Sequence, residues 1–231
     1  VEAARDQVGR NYPADVFAHG DAADTLARLI ERLPAALDVD ANLSFDIARA
    51  RAQSEGRMRD VLGPYRVVAD TLAERVFANG HPWVRDVTIS NSTFGNRYVR
   101  IAAPNLGVHA LGGGIGQGVA MGVGAALATC RGKAVTLLGD GGAMLGLAEM
   151  ITAVDERAPL VYLLMNDKAY GVIQNIQDAQ YGSRRHYSAL ATPDFAAFCQ
   201  SIGLPHQRVG DVDGFAAAFD EAVATEGPCL I

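Results

Sequence analysis

The sequence is poor in the residues that build disulfide or metal frameworks. It has three cysteines among 231 residues. Cys130, Cys199 and Cys229 lie far apart, form no CxxC pair and sit among apolar neighbours. Such a set reads as reduced core thiols and leads us to expect a cytoplasmic protein. The five histidines are scattered, with no pair at ligand spacing, which argues against a zinc site. There is no apolar run of about 18 residues, so no membrane-spanning helix is expected. The N-terminus also lacks the basic, apolar and small-residue order of a signal peptide. Positive charge is in short supply: 20 Lys and Arg face 26 Asp and Glu, a net charge of −6. A nucleic-acid surface needs a clustered basic excess, and the pair Arg184-Arg185 reads as a solvated loop instead. Neither an internal repeat nor a low-complexity tract is present.

What remains is an ordinary globular composition, 49% hydrophobic and 20% charged, in a chain long enough to bury a core. Both ends read as cut, because the chain opens in polar sequence without a methionine. It closes on Pro228-Cys229-Leu230-Ile231, which reads as the start of a buried strand, so we expect a piece of a longer polypeptide. Residues 1–23 show no periodicity. From Asp24, the expected cap, Leu26, Leu29, Ile30, Leu33 and Leu37 fall on one helix face. Residues 38–62 are charged and read as a linker or a surface helix.

A regular layout starts at Gly63-Pro64. Pro64 suits a first helical turn, Val68, Leu72 and Val76 make the inward stripe, and Gly80 ends the helix. Residues 83–90 are β-rich. The small residues of Gly112–Ala128 suit a helix pressed closely against a sheet or a neighbouring subunit. Strands over Ala134–Leu138 and Leu160–Met165 flank a helix over Leu147–Val154. Further helices are predicted over Gly171–Gln177, from Thr192-Pro193 through Ile202, and over Phe215–Ala224. Short strands are expected at His206–Val209 and from Cys229 onward. Continuous apolar strands alternating with helices predict an α/β fold: a doubly wound parallel sheet with helices on both faces.

Ligands of such sheets bind beyond the carboxyl ends of the strands, and two strand ends here are unusual. Gly139-Asp140-Gly141-Gly142 follows one strand; its glycines allow a sharp turn that brings N–H groups near an anion, and Asp140 offers a hard oxygen. Asn166-Asp167-Lys168-Ala169-Tyr170-Gly171 follows the other. Mg²⁺ takes one or two carboxylates together with phosphate oxygens, and Asp140 and Asp167 at adjacent strand ends could supply that pair. A plain Asp-Gly turn is the competing reading of the first motif taken alone.

Gly139-Asp140-Gly141, then 24 residues (142–165), then Asn166-Asp167 resembles the thiamine diphosphate-binding signature of the 2-oxo-acid decarboxylase and acetolactate synthase superfamily. The resemblance runs over most of residues 64–231, including Gly112-Gly113-Gly114-Ile115-Gly116, Tyr170-Gly171 and Gly227-Pro228-Cys229-Leu230-Ile231. Residues 11–37, beginning Asn11-Tyr12-Pro13-Ala14-Asp15, resemble the end of the preceding central domain. The implied organisation is a central-domain end at 1–37, a linker at 38–63 and the thiamine diphosphate domain at 64–231.

The resemblance implies thiamine diphosphate and Mg²⁺ as cofactors. Asp140 and Asp167 would bind the metal through side chains and Ala169 through its carbonyl. The family often has Asn-Asn where this chain has Asn166-Asp167, so the second metal ligand is anionic here. Asn91, Ser92, Thr93, Gly139, Gly141, Gly142, Ala143 and Asn166 would lie around the cofactor. Gly113 would accept from the aminopyrimidine, and Ile115 would wedge the cofactor into its bent shape. Tyr170, Ile173 and Ile176 resemble substrate-pocket positions, although Ile173 and Ile176 also fit core positions on helical spacing. The implied activity is decarboxylation of a 2-oxo acid, nearest to benzoylformate decarboxylase-like enzymes over Ser90–Ile115, with an acetolactate synthase-like carboligase as the alternative. The family's activating glutamate, on an N-terminal domain and usually from a partner subunit, has no counterpart here. Glu149 reads as an ordinary helix residue, and a homodimer or homotetramer is implied.

Two other readings compete with this resemblance. A nicotinamide or flavin Rossmann site fails on register, because Gln117 or Val119 stands where GxGxxG needs its third glycine. A non-catalytic relative that kept the fold is disfavoured by the presence of both Asp140 and Asp167.

Overall fold

A computed structural model describes the chain apart from residues 2, 5, 7, 10–12, 130 and 131. The expectations for Asn11, Tyr12 and Cys130 therefore lie outside the described residues. The chain divides into two compact units, Val1–Arg51 and Ala52–Ile231. In the first, α1 (Ala22–Arg32) is capped by Asp21, which accepts from the Asp24 amide at 3.0 Å. Asp24, the expected cap, is instead a first-turn acid. Leu33 and Leu37 lie beyond the helix end, because Leu33 precedes Pro34 and takes an extended conformation. Leu26, Leu29 and Ile30 are exposed. A 20-residue helix, α2 (Leu43–Leu62), occupies the charged stretch and crosses the unit boundary.

The second unit is built on a five-stranded, all-parallel sheet. Its strands are β1 (Trp83–Arg85), β2 (Gly107–His109), β3 (Ala134–Gly139), β4 (Leu160–Met165) and β5 (Cys229–Leu230), in the order β2-β1-β3-β4-β5. The alternation of residues along β3 and β4 sends side chains to two separate cores. On one face Val135, Leu137, Val161 and Leu163 meet α3 (Arg66–Asn79) and α9 (Phe215–Ala224) through Leu72, Val76 and Phe219. On the other, Ala134, Leu138, Leu160 and Tyr162 meet α4 (Gly118–Ala128), α6 (Glu149–Asp155) and α8 (Phe195–Ile202). Each large apolar side chain so buried contributes on the order of 1.5–3 kcal/mol. The doubly wound parallel sheet expected from the sequence is therefore present.

Several local expectations need correction. The β-rich stretch 83–90 is a strand only to Arg85; Asp86 is fully buried, and residues 89–95 wind into a helical turn. Trp83 Nε1 donates to the Gly95 carbonyl at 3.0 Å and pins that turn against the strand. The strand β2 had no alternating signal and was not expected. Of Gly112–Ala128 only Gly118–Ala128 is regular helix, since Gly113 (φ 72) and Gly116 (φ 91) are left-handed and break it. The cap before Phe195 is Asp194, which accepts from Ala196 N and Ala197 N, and not Thr192-Pro193. His206–Val209 shrinks to one bridge, His206 to Leu230. The helix expected at Gly171–Gln177 is longer, α7 (Gly171–Tyr181).

Candidate cofactor and metal site

The strand order reverses direction at β1, which pairs with β2 on one side and β3 on the other. Such a switch leaves a crevice at the carboxyl ends of the central strands. A cavity of about 570 Å³ lies there, walled by the segments that follow β1, β3 and β4. The register pairs Gly139 directly with Met165. The segments after these two strands, with Asp140 and Asp167, therefore leave the sheet side by side.

After β3 the chain turns straight into a six-residue helix, α5 (Asp140–Leu145). Gly139, Asp140, Gly141 and Gly142 all line the cavity. A methyl group on Gly141 would stand 2.5 Å from Tyr170 Cε1, and one on Gly139 would stand 2.8 Å from Thr88 Oγ1. The cradle is thus closed to larger residues by its neighbours. Asp140 is 1% exposed. Its Oδ1 accepts from the Gly141 amide at 2.7 Å, while its Oδ2 is buried without a hydrogen-bond partner among the described residues. Burial pushes the Asp140 carboxyl above its ordinary range; the amide of Gly141, and after it those of Lys168 and Ala169, oppose this, and the charge of Asp167 adds to it.

After β4, Lys168 takes a left-handed conformation (φ 56) that reverses the chain. The reversal lets Tyr170 N donate to Ser188 O and Leu190 N to Lys168 O, both at 2.8 Å. This bridge of Ala169 with Ala189 uses the neighbouring groups and leaves the Ala169 carbonyl outside it. Asp167 Oδ1 accepts from Ala169 N at 3.2 Å, and a methyl on Gly171 would lie 2.8 Å from its Oδ2. Its carboxylate therefore sits over the start of α7, at the positive end of that helix. Among the described residues no group of three or more His, Cys, Asp or Glu side chains could hold a metal. Two carboxylates and a carbonyl are nonetheless a hard-oxygen set that fits Mg²⁺ when a bound diphosphate completes the shell. The orphaned Asp140 Oδ2 is the observation behind that fit.

Of the other sequence-derived candidates, Thr93, Gly113, Ile115, Asn166, Ala169, Tyr170 and Ile173 line the cavity. Asn91, Ser92, Ala143 and Ile176 do not. Asn91 is buried, with its Nδ2 3.0 Å from His109 Nε2. Ser92 is exposed, and its hydroxyl donates back to Thr88 O at 3.3 Å. Ala143 is fully buried in the core between α4, α6 and the sheet. Ile176 is 41% exposed, one turn beyond Ile173. The early end of β1 explains the shift: Thr88, Ile89 and Ser90 come round to the cavity in place of Asn91 and Ser92. Glu149 is exposed on α6, where it accepts from Thr152 Oγ1.

Sequence reasoning missed Asp86 altogether. It is 0% exposed directly after β1, and it accepts from Val87 N at 2.7 Å and from Gly116 N at 3.0 Å. An acid inside the β-rich stretch 83–90 was the available signal, although it does not point to the partner Gly116. Apolar wall residues were missed too: Ile89, Phe94 and Met165, with Val61, Leu62 and Tyr65 from the segment before α3. The cysteines Cys199 and Cys229 are free and buried, and burial raises the Cys199 thiol to about 11, which keeps it protonated and inert.

This chain is similar over 206 residues, at 30% identity, to the probable 2-ketoarginine decarboxylase AruI of Pseudomonas aeruginosa. That similarity covers 87% of this chain and 36% of the relative. It is 23% identical to the probable acetolactate synthase large subunit of Methanococcus aeolicus, covering 97% of this chain and 40% of that protein. The chain thus spans well under half the length of these relatives. In fold it resembles the Rhodococcus jostii RHA1 thiamine diphosphate-dependent 4-hydroxybenzoylformate decarboxylase. The TM-score is 0.62 at 24% identity, over 71% of this chain and 31% of that one. Residues 88–231 match the family described as thiamine pyrophosphate enzyme, C-terminal TPP binding domain. That match takes in β2 to β5 and both strand-end motifs, and the chain belongs to this family of thiamine diphosphate-binding domains.

Proposed function

We propose that the chain is the cofactor-holding C-terminal part of a thiamine diphosphate- and Mg²⁺-dependent enzyme that decarboxylates a 2-oxo acid. The observation that carries this reading is the buried, unpartnered Asp140 Oδ2 beside Asp167 at adjacent strand ends. When bound, the cofactor supplies a carbanion equivalent and an electron sink next to the substrate carbonyl. The protein's share is to hold and orient it. Asp140, Asp167 and the Ala169 carbonyl hold the cation, and Asn166 with the glycine cradle of 139–142 receives the diphosphate. Thr88 and Ser90 offer hydroxyls on the β1 side, and Thr93, whose own hydroxyl donates to Ile89 O and Ser90 O, stands beside them. Gly113 and Ile115 face the organic part of the cofactor. Tyr170 and Ile173 border the substrate, with Ile176 at the rim.

Apart from Asp140 and Asp167 the cavity-lining residues carry no charge. Ile89, Phe94, Met165 and Ile173 therefore suit a 2-oxo acid with an uncharged side chain better than the guanidino side chain named for the Pseudomonas relative. A carboligase reading, in which the product is added to a second carbonyl, is supported by similarity to an acetolactate synthase. In both readings residues 1–37 end a central domain, 38–63 link, and 64–231 hold the cofactor. The activating glutamate comes from another domain of a homodimer or homotetramer in the cytoplasm.

Calorimetric titration of the full-length protein with thiamine diphosphate is the direct test. Binding should require Mg²⁺ and be lost in Asp140→Asn. Equal binding in the presence of a chelator, or none with Mg²⁺, would sink the assignment.

A further inference from the structure

We propose that Asp86 is a positioning residue whose buried carboxylate sets the Gly113–Gly116 loop, and with it Ile115, over the cavity. The proposal rests on the thiamine diphosphate reading above and adds a residue that touches neither metal nor diphosphate.

Three segments that wall the cavity converge on this one side chain. Asp86 continues directly from β1, its amide donating to Leu137 O of β3 at 3.0 Å, so its backbone is held by the sheet. Its Oδ1 accepts from Val87 N at 2.7 Å. Across a separation of 30 residues, its Oδ2 and Oδ1 accept from Gly116 N at 3.0 and 3.2 Å. The first residue of α4 packs against it: a methyl on Gly118 would lie 2.6 Å from Asp86 Cβ. In α5, a methyl on Gly142 would lie 2.7 Å from Asp86 Oδ2.

No ion pair with Asp86 occurs among the described residues. A buried carboxylate without a cation is retained only where backbone donors and a helix N-terminus satisfy it, and here these are two amides and the start of α4. Gly113 and Gly116 are left-handed, and Ile115 between them is 37% exposed. The other loop anchor, Gln117, binds Leu111 and Gly114 on the far side of Ile115. Asp86 is thus the side-chain link that ties Gly116, next to Ile115, to the sheet, while the other end of the loop is held where Ala110 N donates to Arg85 O.

Asparagine has the same size, so the contacts with Gly118 and Gly142 survive in Asp86→Asn. It has only one acceptor oxygen; with that oxygen kept on the shorter bond to Val87 N, an amide NH₂ replaces the Oδ2 that faces Gly116 N. The diphosphate and metal groups stay in place while the Ile115 loop loses its anchor.

The test compares two ligands in the full-length protein at saturating Mg²⁺. In Asp86→Asn the dissociation constant for thiamine diphosphate should rise about ten-fold, the cost of ordering on binding a loop that has lost its hydrogen bond. That for inorganic diphosphate should rise clearly less, because the side chain that packs on Gly142 keeps its size and inorganic diphosphate does not reach Ile115. Unchanged affinity for thiamine diphosphate overturns the proposal, and so does a parallel loss for both ligands, which would mean a general structural defect. If Asp86→Asn does not fold, hydrogen exchange in the wild type decides: the Gly116 amide should be protected before any cofactor is added, and free exchange overturns the link. A wild type that binds neither ligand removes the cofactor reading itself, an outcome distinct from failure of the variant alone.

Discussion

At Gly141 there is room for a hydrogen atom and nothing more. A methyl there would meet Tyr170 Cε1 at 2.5 Å, Tyr170 Cδ1 at 2.8 Å and Leu190 Cδ1 at 3.2 Å. The Tyr170 backbone is held by its amide's bond to Ser188 O at the turn into α7, so relief strains either the ring's position or that turn. Gly141→Ala should therefore displace the Asp167–Tyr170 turn from Asp140. The expected result is at least a roughly ten-fold weaker Mg²⁺-dependent affinity for thiamine diphosphate, about 1.4 kcal/mol, read by calorimetry. Full affinity in this variant would show that the close approach is incidental. Asp140 and the glycines beside it were legible in the sequence because residue type and spacing alone mark a turn with a hard oxygen in it. Asp86 was not, because its partner Gly116 is 30 residues away and nothing local announces the contact.

Among the elements, α4 shows how a run of small residues is divided by its surroundings. Gly122 faces the sheet, where a methyl would stand 2.5 Å from Thr136 Oγ1 and 3.3 Å from Tyr162 Cε1. Gly124 has nothing within 4 Å of that position. The same substitution should thus act in opposite directions two residues apart. Gly124→Ala is expected to stabilise by about 0.5–1 kcal/mol through helix propensity, and Gly122→Ala to destabilise by about 1–3 kcal/mol through overpacking. Thermal unfolding of the two variants beside the parent checks both signs; a shift in the same direction for both would refute the packing argument. The interior of such elements was legible, β4 and α9 to the residue, because an apolar run or stripe is a local property. Their ends were less so. Aspartates compete for cap positions, and which one caps depends on where the backbone leaves the helix: Asp21 and not Asp24, Asp194 and not Thr192.

For the whole molecule, the question is how much of an active site one such unit contains. The cavity opens among residues of the Ala52–Ile231 unit, and its acids are Asp140 and Asp167. Neither is free to act as a proton donor to the cofactor if both hold the cation. Residues 1–231 alone should therefore show no decarboxylase turnover on a panel of 2-oxo acids, while the full-length protein does. Measurable turnover by the chain alone would refute the proposed division of labour.

The sequence by itself determined the fold class and the two strand-end motifs, since strand and helix periodicity and glycine spacing are written locally. The similarity to thiamine diphosphate enzymes followed from the order of those motifs. Only the tertiary structure decided that β1 lies between β2 and β3, and that it ends at Arg85, so that Thr88–Ser90, and not Asn91 and Ser92, line the cavity. It also decided that Asp86 reaches the Ile115 loop. Strand order and such contacts arise from pairing between distant segments, whose energy is shared over a sheet and leaves no mark on any single stretch of chain.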